Sequence, residues 1–299
     1  MAPPARLHRR GLLLVFLATV LWSLAGLFAR AVPQLDFGAI LFGRAGFGGL
    51  CGLILAFSEW RRGQLDLARL KTPMTPLVVF LSATAISGYV AALMTTTVAD
   101  VLVIYATLPF LAAGLAFLAT GERPSRRTIW AAGFALIGVV VMVADGLGRG
   151  RLVGQMFSFY MTAAFAGLVV AQRRDPGLPV APINALAALL AAGFGFCVAR
   201  SVRMTAFEVA DLFLFGVSTI TIAFALFMQG AKTVPAAEAS LIAMLDVVIG
   251  PLWVWLAFRE QPSLATAIGG GFVLAAALWR LAPELRRHRE DLAPAAPVV

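Results

Sequence analysis

The sequence is poor in charge. Only 13% of its 299 residues are Asp, Glu, Lys or Arg, about half the share that a soluble domain carries. Hydrophobic residues make up 61% of the chain, and the mean hydropathy is +0.90. A water-soluble fold of this length could not bury so much apolar surface, because folded domains leave a large part of the chain exposed. The composition therefore excludes an ordinary soluble enzyme or binding module and predicts a protein embedded in lipid.

The residues that usually carry catalysis or bind metals are also scarce. The two histidines, His8 and His288, lie in basic segments near the termini, which excludes a histidine-ligated haem, a His-Glu-x-x-His metal site and a Ser-His dyad inside the membrane. Cys51 and Cys197 lie in apolar runs, so we expect packing residues and no disulfide. No GxxxxGK[ST] loop is present, so direct use of ATP is not expected. We predict no catalytic residue, cofactor or metal site.

Long apolar runs dominate the chain. A membrane-spanning helix needs about 20 apolar residues. Ten runs of this kind are present, at residues 11–31, 37–57, 75–96, 98–120, 127–145, 152–172, 180–199, 209–230, 235–257 and 262–281. The first follows a basic segment, as a signal peptide does, but it exceeds the roughly 15 apolar residues of such a peptide. The predicted fold class is an all-α polytopic membrane protein with ten transmembrane helices.

The basic residues indicate the orientation of the chain. The formal net charge is +9, and the arginines form short clusters between apolar runs, which fits anionic lipid and argues against a nucleic-acid partner. With the N-terminus in the cytoplasm, 17 of the 24 Lys and Arg residues lie in cytoplasmic segments and 6 in outer segments, while Arg44 lies inside the membrane. The positive-inside rule therefore predicts that both termini are cytoplasmic.

A repeat relates the two halves of the chain. Residues 122–125 and 260–263 both read Glu-x-Pro-Ser, 138 positions apart, and each lies near the end of an apolar run. The same offset aligns Asp100 with Glu238, an acid at the start of the fourth and of the ninth helix. Because five helices per half is an odd number, the second copy must be inverted. Inverted repeats are typical of secondary transporters, whose two halves open in turn to either side of the membrane.

Several motifs together resemble one known family. They are Trp22-Ser23 in the first helix, Arg44 in the second, Pro109 in the fourth, and Gly121-Glu122-x-Pro124-Ser125 beginning twelve residues after that proline. In order and spacing they resemble the EamA-type domain of the drug/metabolite transporter superfamily, over residues 11–281. The second half departs from the pattern, because Val247 replaces the expected proline and Pro251 follows four residues later.

This resemblance implies ten helices in two inverted five-helix repeats, at 11–145 and 151–281, between a cytoplasmic N-terminus at 1–10 and a cytoplasmic tail at 282–299. It also implies a secondary transporter of the bacterial inner membrane that exports small metabolites by alternating access. Within the superfamily the chain looks most like the bacterial exporters of aromatic amino acids, so we expect aromatic or other neutral amino acids as substrates.

Other interpretations stay open at this point. Cationic drugs or other metabolites are alternative substrates, and an intramembrane enzyme or an ion channel is an alternative function. We expect a monomer whose partners are the small-molecule substrate and the lipid bilayer.

Two charges lie at membrane depth, Arg44 in the second helix and Asp246 in the ninth. Such a charge costs at least about 2.5–3.5 kcal/mol at the centre of a spanning helix. The functional interpretation is that both residues line a central cavity or pair across it. The structural alternative is a static ion pair, or for Arg44 a side chain that extends to the membrane surface.

Aromatic residues provide the candidate surface for an apolar substrate, since ligand pockets are mostly apolar with a few placed polar groups. The predicted substrate-binding residues are Trp22, Ser23, Tyr89, Tyr105, Tyr160, Phe224 and Asp246. Trp253 is a further aromatic candidate, and Tyr89 and Tyr160 are the strongest, because both lie mid-helix and a buried hydroxyl needs a partner. The alternative for each aromatic is core packing or contact with lipid.

Prolines and acids near helix ends complete the candidates. Pro109 and Pro251 remove a backbone hydrogen bond within a helix, so each is a candidate hinge or a static kink. We interpret Asp100 and Glu238 as first-turn acids stabilised by exposed N–H groups. Glu122 and Glu260 are expected to stabilise loops or neighbouring helix ends.

Overall fold

A computed structural model describes residues 5–63, 65, 67–175 and 177–292, and this part of the chain is helical without a strand. The helices form ten spans, which we number α1–α10. They are α1, Ala5–Ser23 and Ala25–Ala31; α2, Phe37–Arg61; α3, Met74–Thr95; α4, Val98–Tyr105 and Leu108–Thr120; α5, Arg126–Gly148; α6, Leu152–Arg174; α7, Val180–Val198; α8, Ala206–Gly216, Val217–Ile222 and Ala223–Ala231; α9, Ala236–Ala243 and Asp246–Phe258; and α10, Leu264–Leu292. A short 3-10 helix, Leu67–Lys71, lies between α2 and α3.

The spans stand where the apolar runs predict them, and the predicted fold class is confirmed. In the described part of the chain, nine helices are long and apolar enough to cross a membrane, and the two halves of α4, bent by 41°, make the tenth. One difference concerns the predicted tail: α10 continues through Pro283 to Leu292. The residues after Pro283 are mostly strong helix formers such as Glu, Leu and Arg, which explains the extension. Residues 293–299 lie outside the described part.

The repeat is visible in the helix bounds. The two halves of α4, Val98–Tyr105 and Leu108–Thr120, recur 138 residues later as the halves of α9, Ala236–Ala243 and Asp246–Phe258. The start of α10 likewise follows the start of α5 by 138 residues. Both α4 and α9 are therefore interrupted at the same point, although only α4 has a proline in the turn that follows. The interruption belongs to the repeat and does not depend on Pro109 alone.

Corresponding helices of the two halves pack against each other through glycine. A Cβ on Gly138 of α5 would collide with the carbonyl oxygen of Gly269 in α10. A Cβ on Gly38 of α2 would collide with the backbone of Ala199 at the end of α7. Small residues let helix backbones approach closely in lipid, where no hydrophobic force drives helices together. These glycines therefore join the two repeats along α2–α7 and α5–α10.

The alternation of the spans produces two rims. The terminal rim holds the start of α1, the end of α10, and the connections after α2, α4, α6 and α8. The opposite rim holds the connections after α1, α3, α5, α7 and α9. Contacts across the opposite rim agree with this assignment, because Arg30 in the last turn of α1 donates to Glu260 after α9, and Asp36 before α2 accepts from the backbone N–H of Arg200 after α7.

Candidate substrate-binding site

Four spans lose regular α-helical geometry partway along their length. The breaks are at Leu24 in α1, Ala106–Thr107 in α4, the π-helical segment Val217–Ile222 in α8, and Met244–Leu245 in α9. Irregular backbone at membrane depth is tolerated only where it is buried in protein or lines a cavity. Segments of π-helix are frequent at functional sites. The breaks therefore mark a candidate region for substrate binding.

Arg44 of α2 lies beside the π-helical segment. Its side chain is buried, with 5% exposure, and its guanidinium carbon lies 4.4 Å from the ring centre of Phe215 and 5.2 Å from that of Tyr89. Its Nη2 atom makes one long contact, 3.4 Å, with the hydroxyl of Thr219. Its Nε and Nη1 atoms are buried without a hydrogen-bond partner. Aromatic rings thus hold a cation whose N–H donors are largely unused.

Asp246 opens the second half of α9, directly after the break. Its carboxylate interacts electrostatically with the phenols of Tyr89 and Tyr105, and one of its oxygens, Oδ1, is buried without a partner. Among the described residues it forms no ion pair with Arg44. Tyr89 interacts electrostatically with both charges, so the phenol lies near an unpaired cation and an unpaired anion.

Trp22 and Ser23 tie α1 to the other broken helices. The indole N–H of Trp22 donates to the carbonyl oxygen of Thr219 in the π-helical segment at 2.9 Å. The hydroxyl of Ser23 accepts from the indole N–H of Trp253 in α9 at 3.0 Å and donates to the carbonyl of Val20 at 2.7 Å. A serine that bonds to its own preceding turn competes with the helix ladder, which fits the break at the next residue. The structure therefore brings α1, α8 and α9 together here.

The predicted residues fall into two groups. Trp22, Ser23, Arg44, Tyr89, Tyr105, Trp253 and Asp246 are connected through the contacts above, and we call these seven, with Phe215 and Thr219, the central cluster. Tyr105 also stacks edge-on with Phe165 of α6, with ring centres 5.8 Å apart. The sequence did not single out Phe215 or Thr219. The only local signal was the polar stretch Ser218-Thr219-x-Thr221 within an apolar helix.

Other predicted residues lie apart from the central cluster. Tyr160 on α6 is 51% exposed. Phe224 lines a crevice of about 20 Å³ between α2, α7 and α8, together with Asn184. Pro109 follows the break in α4 by two residues, and Pro251 lies inside the second half of α9, which continues through it as helix. Their roles as binding or hinge residues stay predictions.

Sequence comparison identifies the family. The sequence model of the EamA-like transporter family matches residues 9–144 and again residues 152–281. The chain belongs to the EamA-like transporter family. It is therefore a multi-pass membrane transporter built from two repeats, and not a member of an enzyme family.

Solved structures agree with this fold. Twenty chains of known structure match, and one of them, described only as "Crystal structure of protein", superposes with a TM-score of 0.62 at 21% identity, over 90% of this chain and 96% of that chain. A likeness at this identity shows the fold alone. A search among curated proteins found no match.

A buried polar network closes the opposite rim of this EamA-like transporter. Asp100 in the first turn of α4 is completely buried and accepts hydrogen bonds from the hydroxyls of Thr96, at 2.7 Å, and Thr266, at 2.6 Å. It also accepts from the amide of Gln155 at 3.2 Å and pairs with Arg151 at 3.1 Å. Asp100 therefore does more than occupy a first helical turn. It joins α4 to α6 and α10.

Glu260 adds a second connection at the same rim. Its Oε1 accepts from the backbone N–H of Val98, the first residue of α4, at 2.8 Å, and its Oε2 pairs with Arg30 at 2.7 Å. Arg30 also donates to the carbonyls of Leu93 and Thr96 at the end of α3. The prediction that Glu260 stabilises a neighbouring helix end is confirmed. One glutamate thus joins α9 to α1 and α4.

The terminal rim is less closed than the opposite rim. The repeat places Glu122 in the position of Glu260, yet Glu122 is exposed, and within the described part of the chain its backbone N–H donates only to the Thr120 hydroxyl. The first half of α4 is buried from Val98 to Ile104, whereas in the corresponding half of α9 only Ala237 and Ala239 are buried. Glu238 contacts His8 at 3.2 Å. The two rims are formed by related repeats, but the opposite rim is more closely packed than the terminal rim.

Proposed function

We propose that this protein exports neutral amino acids, aromatic ones included, across a bacterial inner membrane by alternating access. The observation that carries the proposal is the unpartnered carboxylate oxygen of Asp246 beside Tyr89 and Tyr105, where the broken helices meet. A carboxylate at membrane depth is costly unless a cationic group meets it. An α-ammonium group supplies that cation, and the aromatic rings of the cluster supply contact for an apolar side chain.

The difference between the rims supports alternating access. Asp100 and Glu260 hold the opposite rim closed, while the corresponding contacts of Glu122 are not made at the terminal rim. The excess of Lys and Arg on the terminal side makes that rim cytoplasmic. In this state the central cluster is closed toward the outside and loads its substrate from the cytoplasm, as an exporter requires. We propose that a single chain is sufficient, because both repeats are present in it.

Counterflow in proteoliposomes tests the proposal. The full-length protein is reconstituted into vesicles that contain unlabelled phenylalanine or leucine, and uptake of the same labelled amino acid is followed. We expect uptake that saturates and that Asp246→Asn abolishes, while Phe80→Leu, a change at an exposed position of α3 outside the central cluster, leaves more than half of it. A cationic dye or a polyamine serves as the rival substrate.

Two results would contradict the proposal. One is counterflow of the dye or polyamine with none of any amino acid, which would assign the site to cationic drugs. The other is ionic conductance in a planar bilayer without counterflow, which would indicate a channel.

A further inference from the structure

The most unusual group in the described chain is the guanidinium of Arg44. An arginine side chain is always protonated and has five N–H donors. Here the single donor of Nε and both donors of Nη1 have no acceptor, and Nη2 has only the long contact with Thr219. Among the residues that the structure describes, no carboxylate pairs with Arg44. Burying a charge without a hydrogen-bonding partner costs free energy, so buried charges in folded proteins are normally paired with an opposite charge.

The surroundings of Arg44 explain its position but do not satisfy its donors. The rings of Phe215 and Tyr89 lie over the guanidinium, which is an electrostatically favourable arrangement for a cation. Aromatic rings accept the charge through their faces and leave the N–H groups at the edge of the guanidinium free. A planar guanidinium with free edges matches a carboxylate, which can accept two parallel hydrogen bonds.

The location of Arg44 within the central cluster limits what can bind there. Thr219, which contacts Arg44, belongs to the π-helical segment. The backbone carbonyl of Thr219 also accepts a hydrogen bond from the indole N–H of Trp22. Tyr89 contacts Arg44 through its ring and interacts electrostatically with Asp246. A ligand with an anionic and a cationic group could meet both unpaired charges, with the aromatic rings of the central cluster around it. A cationic drug or a polyamine would leave Arg44 unpaired.

We propose that Arg44 binds the carboxylate of the transported molecule, so that the substrate class is the carboxylates, and zwitterionic amino acids in particular. This inference rests on the proposed transport function. Arg44 acts as the anion subsite and Asp246 as the ammonium subsite of one site. Of the substrates that the sequence leaves open, a carboxylate subsite at Arg44 favours amino acids and excludes cationic drugs that lack a carboxylate.

The test uses three ligands of one shape: phenylalanine, phenethylamine, which lacks the carboxylate, and 3-phenylpropionate, which lacks the ammonium group. Stabilisation of the purified full-length protein against thermal unfolding gives an apparent affinity for each. We expect wild-type protein to bind phenylalanine at least tenfold more tightly than phenethylamine. Arg44→Gln should abolish that preference and the binding of 3-phenylpropionate while keeping the binding of phenethylamine. Asp246→Asn, the matched control, should keep 3-phenylpropionate and lose phenethylamine.

The ligand-free melting temperature separates binding from structure. If Arg44 serves to bind a ligand, it is an unpaired and therefore destabilising buried charge in the ligand-free protein. We therefore expect the melting temperature of Arg44→Met to be no lower than that of wild type. Arg44→Lys keeps the charge without the planar fork, and it should retain weakened binding of phenylalanine. A lower melting temperature for Arg44→Met, or an Arg44→Gln variant that binds phenylalanine as wild type does, would overturn the proposal.

The two proposals fail differently. If no amino acid shows counterflow while 3-phenylpropionate still stabilises wild type and not Arg44→Gln, the transport proposal is wrong and the carboxylate subsite stands. If amino acids show counterflow but phenethylamine does so equally, in wild type and in Arg44→Gln, the transport proposal stands and the role of Arg44 is wrong.

Discussion

Glu260 offers the sharpest test of how the protein changes state. In the Glu260→Gln variant the side chain keeps its size but loses its charge, and its single amide oxygen can accept from Arg30 or from the backbone N–H of Val98 but not from both. A hydrogen bond to a charged group contributes about 1.5–3 kcal/mol. The side chains of Arg30 and Glu260 are 23% and 21% exposed, so we take the lower end of that range. A loss of about 1.4 kcal/mol shifts an equilibrium tenfold.

The opening of the opposite rim can be measured by cysteine labelling. Val98 is 1% exposed, so a Val98→Cys reporter is protected while the rim is closed. The natural Cys51 and Cys197 are free and are replaced by alanine first. The rate of reaction with a membrane-impermeant maleimide, added on the side of the opposite rim, then reports how often the rim opens. We expect Glu260→Gln to raise this rate roughly tenfold, in line with that shift.

Glu122 provides the matched control because it occupies the position of Glu260 in the other repeat. Among the described residues its side chain makes no rim contact in the present state, so Glu122→Gln should not raise the labelling of Val98→Cys. In the opposite state the repeat predicts that Glu122 accepts from the backbone N–H of Ala236, as Glu260 does from Val98 here. Equal labelling in wild type and Glu260→Gln, or an equal rise in Glu122→Gln, would refute this reasoning.

Three further predictions follow from the packing. Asp100→Asn should lower the melting temperature, because it removes the buried charge that accepts from Thr96 and Thr266 and pairs with Arg151, and a hydrogen bond to a charged group contributes about 1.5–3 kcal/mol; Arg151 keeps Asp145 as its other partner, and a melting temperature equal to that of wild type would contradict the network. Gly138→Leu should prevent folding, since its Cβ would collide with α10, whereas Gly271→Leu, where a Cβ meets nothing, should express and melt like wild type by size-exclusion and thermal unfolding. Pro109→Ala should keep phenylalanine binding and slow counterflow severalfold if the break in α4 acts as a hinge, and unchanged counterflow would show a static kink.

The sequence was sufficient for the architecture. A spanning helix is defined by local composition, so ten apolar runs predicted ten spans with bounds close to those observed. The Glu-x-Pro-Ser motifs at 122–125 and 260–263 predicted the repeat, and the odd number of helices per half predicted its inversion. These features are readable because each depends on residues that are near one another in the chain or related by one constant offset.

The tertiary structure alone decided which side chains meet. Arg44 and Asp246 are the two charges at membrane depth that the sequence marks, but it could not show that, among the described residues, they do not pair with each other. Nor could it place Arg151 against Asp100, or distinguish Glu260 at a closed rim from Glu122 at a looser one, since both stand in the same motif. Side-chain partners come from helices far apart in sequence, and the state of a rim depends on how two similar repeats are arranged in space. The sequence by itself determined the ten spans and their symmetry; the packing of the spans determined the site and the break in that symmetry.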